Sequence, residues 1–168
     1  MTDSHPAANP LPGLRRVEQI MGTAIGFDVR DASVDPAALE EAFEYLRGVD
    51  RQFSPYKADS EVSRLLRAEI AEADCSRALR DVLGLCEQAR KISEGYFDIR
   101  AHRPDGRPDP TGLVKGWSLE GAGRILEAAG ARNTPLAPIN MRQNTILSRK
   151  HIWVPNPSRG IRPQSRCQ

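Results

Sequence analysis

The sequence predicts a mixed fold of strand and helices. Ile25, Phe27 and Val29 alternate with other residues, which is the period of a strand, and the segments that follow repeat apolar residues at helical spacing. Aromatic residues are sparse, at 5%, so the core must be built mainly from Leu, Ile, Val and Ala.

Residues 1–14 are rich in Pro, Ala and polar residues and read as a disordered leader. Residues 16–30 form the strand segment, where Gly22 and Gly26 point to a bulge or a close backbone approach. Asp35-Pro36 then starts a helix, with Asp as the cap and Pro at the first helical position. Leu39, Ala42, Phe43, Leu46 and Val49 form its apolar face, and Phe53 closes that face. Glu40, Glu41, Glu44 and Arg47 face water. Ser60 caps a shorter helix that turns Val62, Leu65 and Leu66 inward.

A third helix covers roughly residues 76–93, with Leu79, Val82, Leu83, Cys86, Ala89 and Ile92 on one face and Gly95 at its end. The run GYFDIR reads as a short extended segment, and residues 101–112 as loop. A fourth helix runs from about 114 to 129, with Val114, Trp117, Ala122, Ile125, Leu126 and Ala129 inward and Gly130 as its stop. INMRQNTIL and HIWV are strand candidates. The expected organisation is a leader at 1–14, a body at 15–133 and an altered, poorly packed basic tail at 134–168.

Composition narrows the function. Hydrophobic residues at 39% and charged residues at 27% suit a globular protein. A net charge of +2 is too small to argue for nucleic acid. The tail carries five Arg and one Lys with no acid, and the plain reading of such a tail is a solvated one. Cys75, Cys86 and Cys167 make no CxxC pair and no zinc spacing, and Cys86 reads as a small buried hydrophobe. The N-terminus has no signal-peptide pattern and no stretch reaches membrane-span length, so a cytoplasmic protein without a membrane span is expected.

Four short segments carry the chemistry. They are Met21-Gly22-Thr23; residues 53–65, FSPYKADSEVSRL; Gly95-Tyr96-Phe97-Asp98; and residues 109–117, DPTGLVKGW. Each alone is weak, since Tyr56 is then a loop tyrosine, Asp109 a turn carboxylate before Pro110, and Lys115 a solvated helix residue. In this order and spacing they resemble the FAD:protein FMN transferases, the ApbE-like flavin transferases, over residues 17–133.

The resemblance implies an α+β fold with a deep nucleotide cleft. It also implies a Mg²⁺-dependent transfer of the FMN half of FAD to a Thr or Ser hydroxyl of an acceptor protein, releasing AMP. By motif position, Met21 packs on the bound FAD, Tyr56 flanks a flat ring, and Tyr96, Phe97 and Asp98 line the nucleotide pocket. Asp109 accepts hydrogen bonds from the ligand, the backbone at Gly112 lies near the metal, and Lys115 meets phosphate at the start of a helix.

Departures from the family pattern follow Gly130-Ala131-Arg132-Asn133. Where the family has N-A-G-G-D, this chain has Asn140-Met141-Arg142-Gln143-Asn144, and the later metal-binding segment has no counterpart. The fold is therefore expected to be incomplete and catalysis weak or absent. A flavin-nucleotide binder without chemistry, or an unstable remnant, is the alternative.

Overall fold

The computed structural model describes residues 13–101 and 103–132, with the backbone of 136–139. The element order is β1 (Leu14–Ile20), β2 (Thr23–Val29), α1 (Pro36–Phe53), α2 (Glu61–Leu66), a 3-10 turn (Glu72–Asp74), α3 (Arg77–Ile92), α4 (Thr111–Ala128) and β3 (Leu136–Ile139). Among the described residues these strands form one sheet in the order β1-β2-β3, antiparallel throughout. Residues 1–12 of the expected leader lie outside the described residues. So does the tail beyond Ile139, with Arg142, Gln143 and the candidate strand HIWV.

The strand segment differs from its sequence reading. It is a hairpin, not a single bulged strand. Met21 at φ 53 and Gly22 at φ 68 form a two-residue turn between Ile20 and Thr23. Positive φ at both central positions gives the backbone twist that joins two strands tightly. Gly26 causes no bulge, because the register runs unbroken from Leu14↔Val29 to Ile20↔Thr23.

Helix α1 starts as the sequence predicts: the Asp35 carboxylate accepts from Ala37 N at 2.8 Å and Pro36 takes the first position. Its buried Leu39, Ala42, Phe43 and Leu46 meet Ile25, Phe27 and Val29 of the sheet and Leu119, Ala122 and Leu126 of α4. A second cluster joins Val49 and Phe53 of α1 to Val62, Leu65, Leu79, Val82, Cys86 and Val114. Met21 and Tyr45 pack against both clusters. Cys86 is 1% exposed, and burial, with Asp109 nearby, pushes its thiol up to about 11. It is a packing residue, as its helical position suggests.

Two local expectations fail for traceable reasons. Residues 95–100 are turns rather than an extended run. Ser93 Oγ accepts from Phe97 N, Ser93 O accepts from Tyr96 N, and Asp98 Oδ1 accepts from Arg100 N, so local bonds fold the backbone over. Ala129 is exposed rather than inward, because α4 ends at Ala128 and Gly130 at φ 93 turns the chain away.

Helices α1 and α4 approach closely at Gly121, where a Cβ would lie 2.6 Å from Tyr45 Cζ. Glycine to alanine inside a helix ordinarily stabilises by about 1 kcal/mol. Here the sign should reverse, with Gly121→Ala losing about 1–2 kcal/mol as Tyr45 is displaced from its packing against Trp117. A urea-unfolding midpoint that rose in this variant would contradict the close approach.

Candidate functional site

The hairpin turn, the end of α1 with the loop after it, and the first turns of α4 enclose a cleft of about 500 Å³. That is within the usual range of small-molecule sites, roughly 300–1,000 Å³. Met21 and Gly22 come from the turn. Val49, Asp50 and Phe53 come from α1, Ser54 to Lys57 from the loop, and Thr111, Gly112, Val114 and Lys115 from α4.

The chain builds each wall by local rules. Met21 is held by the hairpin, and its sulfur lies 3.9 Å from the buried Ser118 Oγ of α4. The 54–60 loop closes on one carbonyl: Ser60 Oγ donates to Ser54 O at 2.5 Å and Ser63 Oγ to the same oxygen at 3.2 Å. Ser60 Oγ in turn caps α2 by accepting from Ser63 N at 3.0 Å. Tyr56, near the apex of this loop, is 95% exposed.

The α4 wall presents the start of an 18-residue helix with no acid in its first turn. Asp109 Oδ1 accepts from Thr111 N at 3.1 Å and Thr111 Oγ1 at 2.7 Å, which satisfies the first amide. Pro110 O accepts from the amides of Leu113 and Val114, leaving the Gly112 N–H without a partner among the described residues. Lys115, one turn on, is exposed and has no carboxylate partner among the described residues. Lys57, across the cleft, donates to Asp50 Oδ2 at 2.6 Å. Two lysines therefore face one aspartate, and a helix N-terminus adds partial positive charge. Such a wall favours an anion, and the exposed tyrosine beside it favours a flat ring.

The structure brings Met21, Tyr56, Gly112 and Lys115 together on this cleft. It places Tyr96, Phe97, Asp98 and Asp109 elsewhere. Tyr96 is 97% exposed on the turn after α3. Phe97 is half-buried behind α4, with its Cε2 4.0 Å from where a Gly112 Cβ would sit. Asp98 lines a separate groove of about 360 Å³ with Cys86, Arg90 and Arg100. Asp109 anchors the start of α4 through Thr111.

Sequence reasoning missed Asp50 and Lys57. A signal was present: Asp50 is an acid in the last turn of a helix, where the helix dipole disfavours it.

A second bonded node ties the loop region to α3. Glu61 Oε2 accepts from Gln52 Nε2 at 2.7 Å and Ser76 Oγ at 2.8 Å, and Oε1 accepts from Ser76 N. Burial pushes this carboxyl up, but the Ser76 and Gln52 donors outweigh it and hold Glu61 below the ordinary 4.5. A depressed folded value contributes stability that is present above the unfolded value and lost as pH falls through the folded one. Glu61→Gln should therefore be less stable than the native chain at pH 7, with the gap narrowing below about pH 4. Urea midpoints at pH 7 and pH 3.5 measure this, and a constant gap would contradict it.

Among the described residues there is no group of three His, Cys, Asp or Glu side chains that could hold a metal ion. Gly112 offers only backbone oxygen, and Asp109 Oδ1 is engaged by Thr111. These residues do not make a magnesium cage. No helix among them is long and apolar enough to cross a membrane.

A model of the ApbE family matches residues 21–105, half of the chain. The match takes in the turn, the 53–57 loop and the 95–98 turn, and stops before the DPTG segment. Solved structures extend the likeness. The flavin transferase ApbE from Vibrio cholerae aligns over 78% of this chain and 58% of its own, at 17% identity and a TM-score of 0.66. The Pseudomonas stutzeri flavinyl transferase ApbE in its apo form aligns over 75% and 56%, at 16% identity and 0.57. The ApbE protein of Thermotoga maritima aligns over 73% and 54%, at 12% identity and 0.59. At these identities the likeness shows the α+β fold, and the chain spans less than two thirds of each of these structures. No curated protein sequence matches the chain.

Proposed function

The chain belongs to the ApbE family, and from that premise we propose that its cleft binds FAD and serves transfer of the FMN half to a Thr or Ser hydroxyl of an acceptor protein. One observation carries this: three segments spread over about 90 residues of sequence converge on one cleft that pairs an exposed tyrosine with a cationic helix start. Tyr56 and Met21 offer surface to a planar ring, while Lys115 and the Gly112 N–H offer donors to a pyrophosphate.

The reaction is phosphoryl transfer. The acceptor oxygen forms a bond to the FMN phosphorus, the P–O bond to the AMP phosphate breaks, AMP leaves with the bridging oxygen, and the hydroxyl proton passes to solvent. The contribution of these residues is to hold the pyrophosphate in place and balance its charge. Magnesium stays an expectation of the family.

The test is to incubate the chain with FAD, Mg²⁺ and a Thr-bearing acceptor domain. Because the segment after Asn133 departs from the family pattern, the expected result is only a faint fluorescent band on a denaturing gel, with an equally small amount of AMP. FAD binding without either product would favour a second reading, a flavin-nucleotide binder without chemistry. The engagement of Asp109 Oδ1 by Thr111, which gives this carboxylate a role in holding the start of α4, is the observation that keeps this reading open. No interaction with FAD at all would overturn both.

A further inference from the structure

We propose that Asp50 and Lys57 are positioning residues: their ion pair clasps the loop to α1 and presents the Tyr56 ring to the ligand. This rests on the reading of the cleft as a flavin-nucleotide site. Tyr56 is 95% exposed and makes no ring contact among the described residues, so no packing fixes it. Its backbone is nevertheless tied. Tyr56 N donates to Ser54 Oγ at 3.3 Å, Ser60 N to Lys57 O at 3.1 Å, and Ser60 Oγ and Ser63 Oγ both close on Ser54 O.

Those bonds close the loop on itself and on α2. Between the Tyr56–Lys57 apex and α1, the side-chain bond is Lys57 Nζ to Asp50 Oδ2, at 2.6 Å on the cleft wall. Asp50 stands in the last turn of α1, where its charge opposes the helix dipole, so helix stability does not explain it. A carboxylate also disfavours an anionic ligand. Its position is explained if what it gains is a fixed Lys57, and with it a fixed Tyr56. An aromatic residue ordered before binding does not lose its freedom on binding.

The direct alternative, in which Lys57 contacts phosphate and Asp50 merely neutralises it, predicts the opposite sign for one variant. Removing the Asp50 charge would then tighten FAD binding. Under the clasp, Asp50→Asn weakens it about 3- to 10-fold, the factor that ordering one side chain on binding costs. Lys57→Met weakens it similarly and Lys57→Arg restores most of the loss.

In a Tyr56→Ala background, Asp50→Asn should have no further effect, because the residue it positions is gone. Ligand-free hydrogen exchange is the companion measurement, with the Tyr56 and Ser60 amides exchanging faster in Asp50→Asn while those of α1 keep their protection. Unchanged exchange at Tyr56 and Ser60, tighter FAD binding by Asp50→Asn, or equal losses with and without Tyr56 would each overturn the clasp. A native chain that does not quench flavin fluorescence would instead sink the FAD reading, and the exchange result would still decide the clasp.

Discussion

Replacing Lys115 with alanine is expected to weaken FAD binding about 10- to 100-fold while leaving the unfolding midpoint within about 0.5 kcal/mol of the native chain. Lys115 is exposed, has no carboxylate partner among the described residues and lies beside the free Gly112 N–H at the start of α4. Among the described residues its charge has no partner, whereas a charged hydrogen bond to phosphate is worth about 1.5–3 kcal/mol. Lys115→Arg keeps the charge and should lose less. The loss on Lys115→Ala should also shrink at high salt, because the interaction it removes is screened. Titration by quenching of flavin fluorescence measures it, and an unchanged affinity in a protein that binds FAD would remove Lys115 from the site.

The largest stability effect is expected from Phe43→Ala, about 3–5 kcal/mol. Phe43 is fully buried on α1, its ring is 4.9 Å from that of Phe27 at 67°, and the Arg16 guanidinium sits 5.0 Å above it. Truncation removes apolar contact, an edge-to-face pair and a cation–ring contact from the layer between helix and sheet. A domain of this size is stable by about 5–15 kcal/mol, so such a loss takes a large share of the total. Urea unfolding with Phe43→Leu as the milder control checks it. Equal, small effects of the two variants would mean that Phe43 is not the pivot of that layer.

Much of the helical architecture was legible in the sequence because its signals are local. Asp35-Pro36 and Ser60 cap the helices they announce, and the spacing of Leu39, Ala42, Phe43 and Leu46 gives the buried face of α1. The hairpin was not seen, because Met21-Gly22 is not a common turn pair and Met21 must adopt positive φ. The turn at 95–100 is not legible in the apolar pattern, because side-chain bonds from Ser93 and Asp98 fold it.

The candidate site was legible in part. The motifs led to Met21, Tyr56, Gly112 and Lys115, which meet on one cleft. They did not separate residues that face that cleft from residues that support it, such as Phe97 behind Gly112 and Asp109 beneath Thr111. That distinction depends on which side of the loop backbone a side chain leaves, and spacing in sequence does not encode it. The pairing of Asp50 with Lys57 is not legible in the sequence, because it exists only once the loop has folded back on α1.

The most direct measurement is hydrogen exchange of the native chain with and without saturating FAD. Slowed exchange should be confined to the Met21-Gly22 turn, residues 53–57 and the start of α4 at residues 111–115, with the groove between α3 and residues 98–100 unchanged. Binding of FAD with protection in that second groove, and none at the turn, the loop and the start of α4, would contradict the placement of the ligand site.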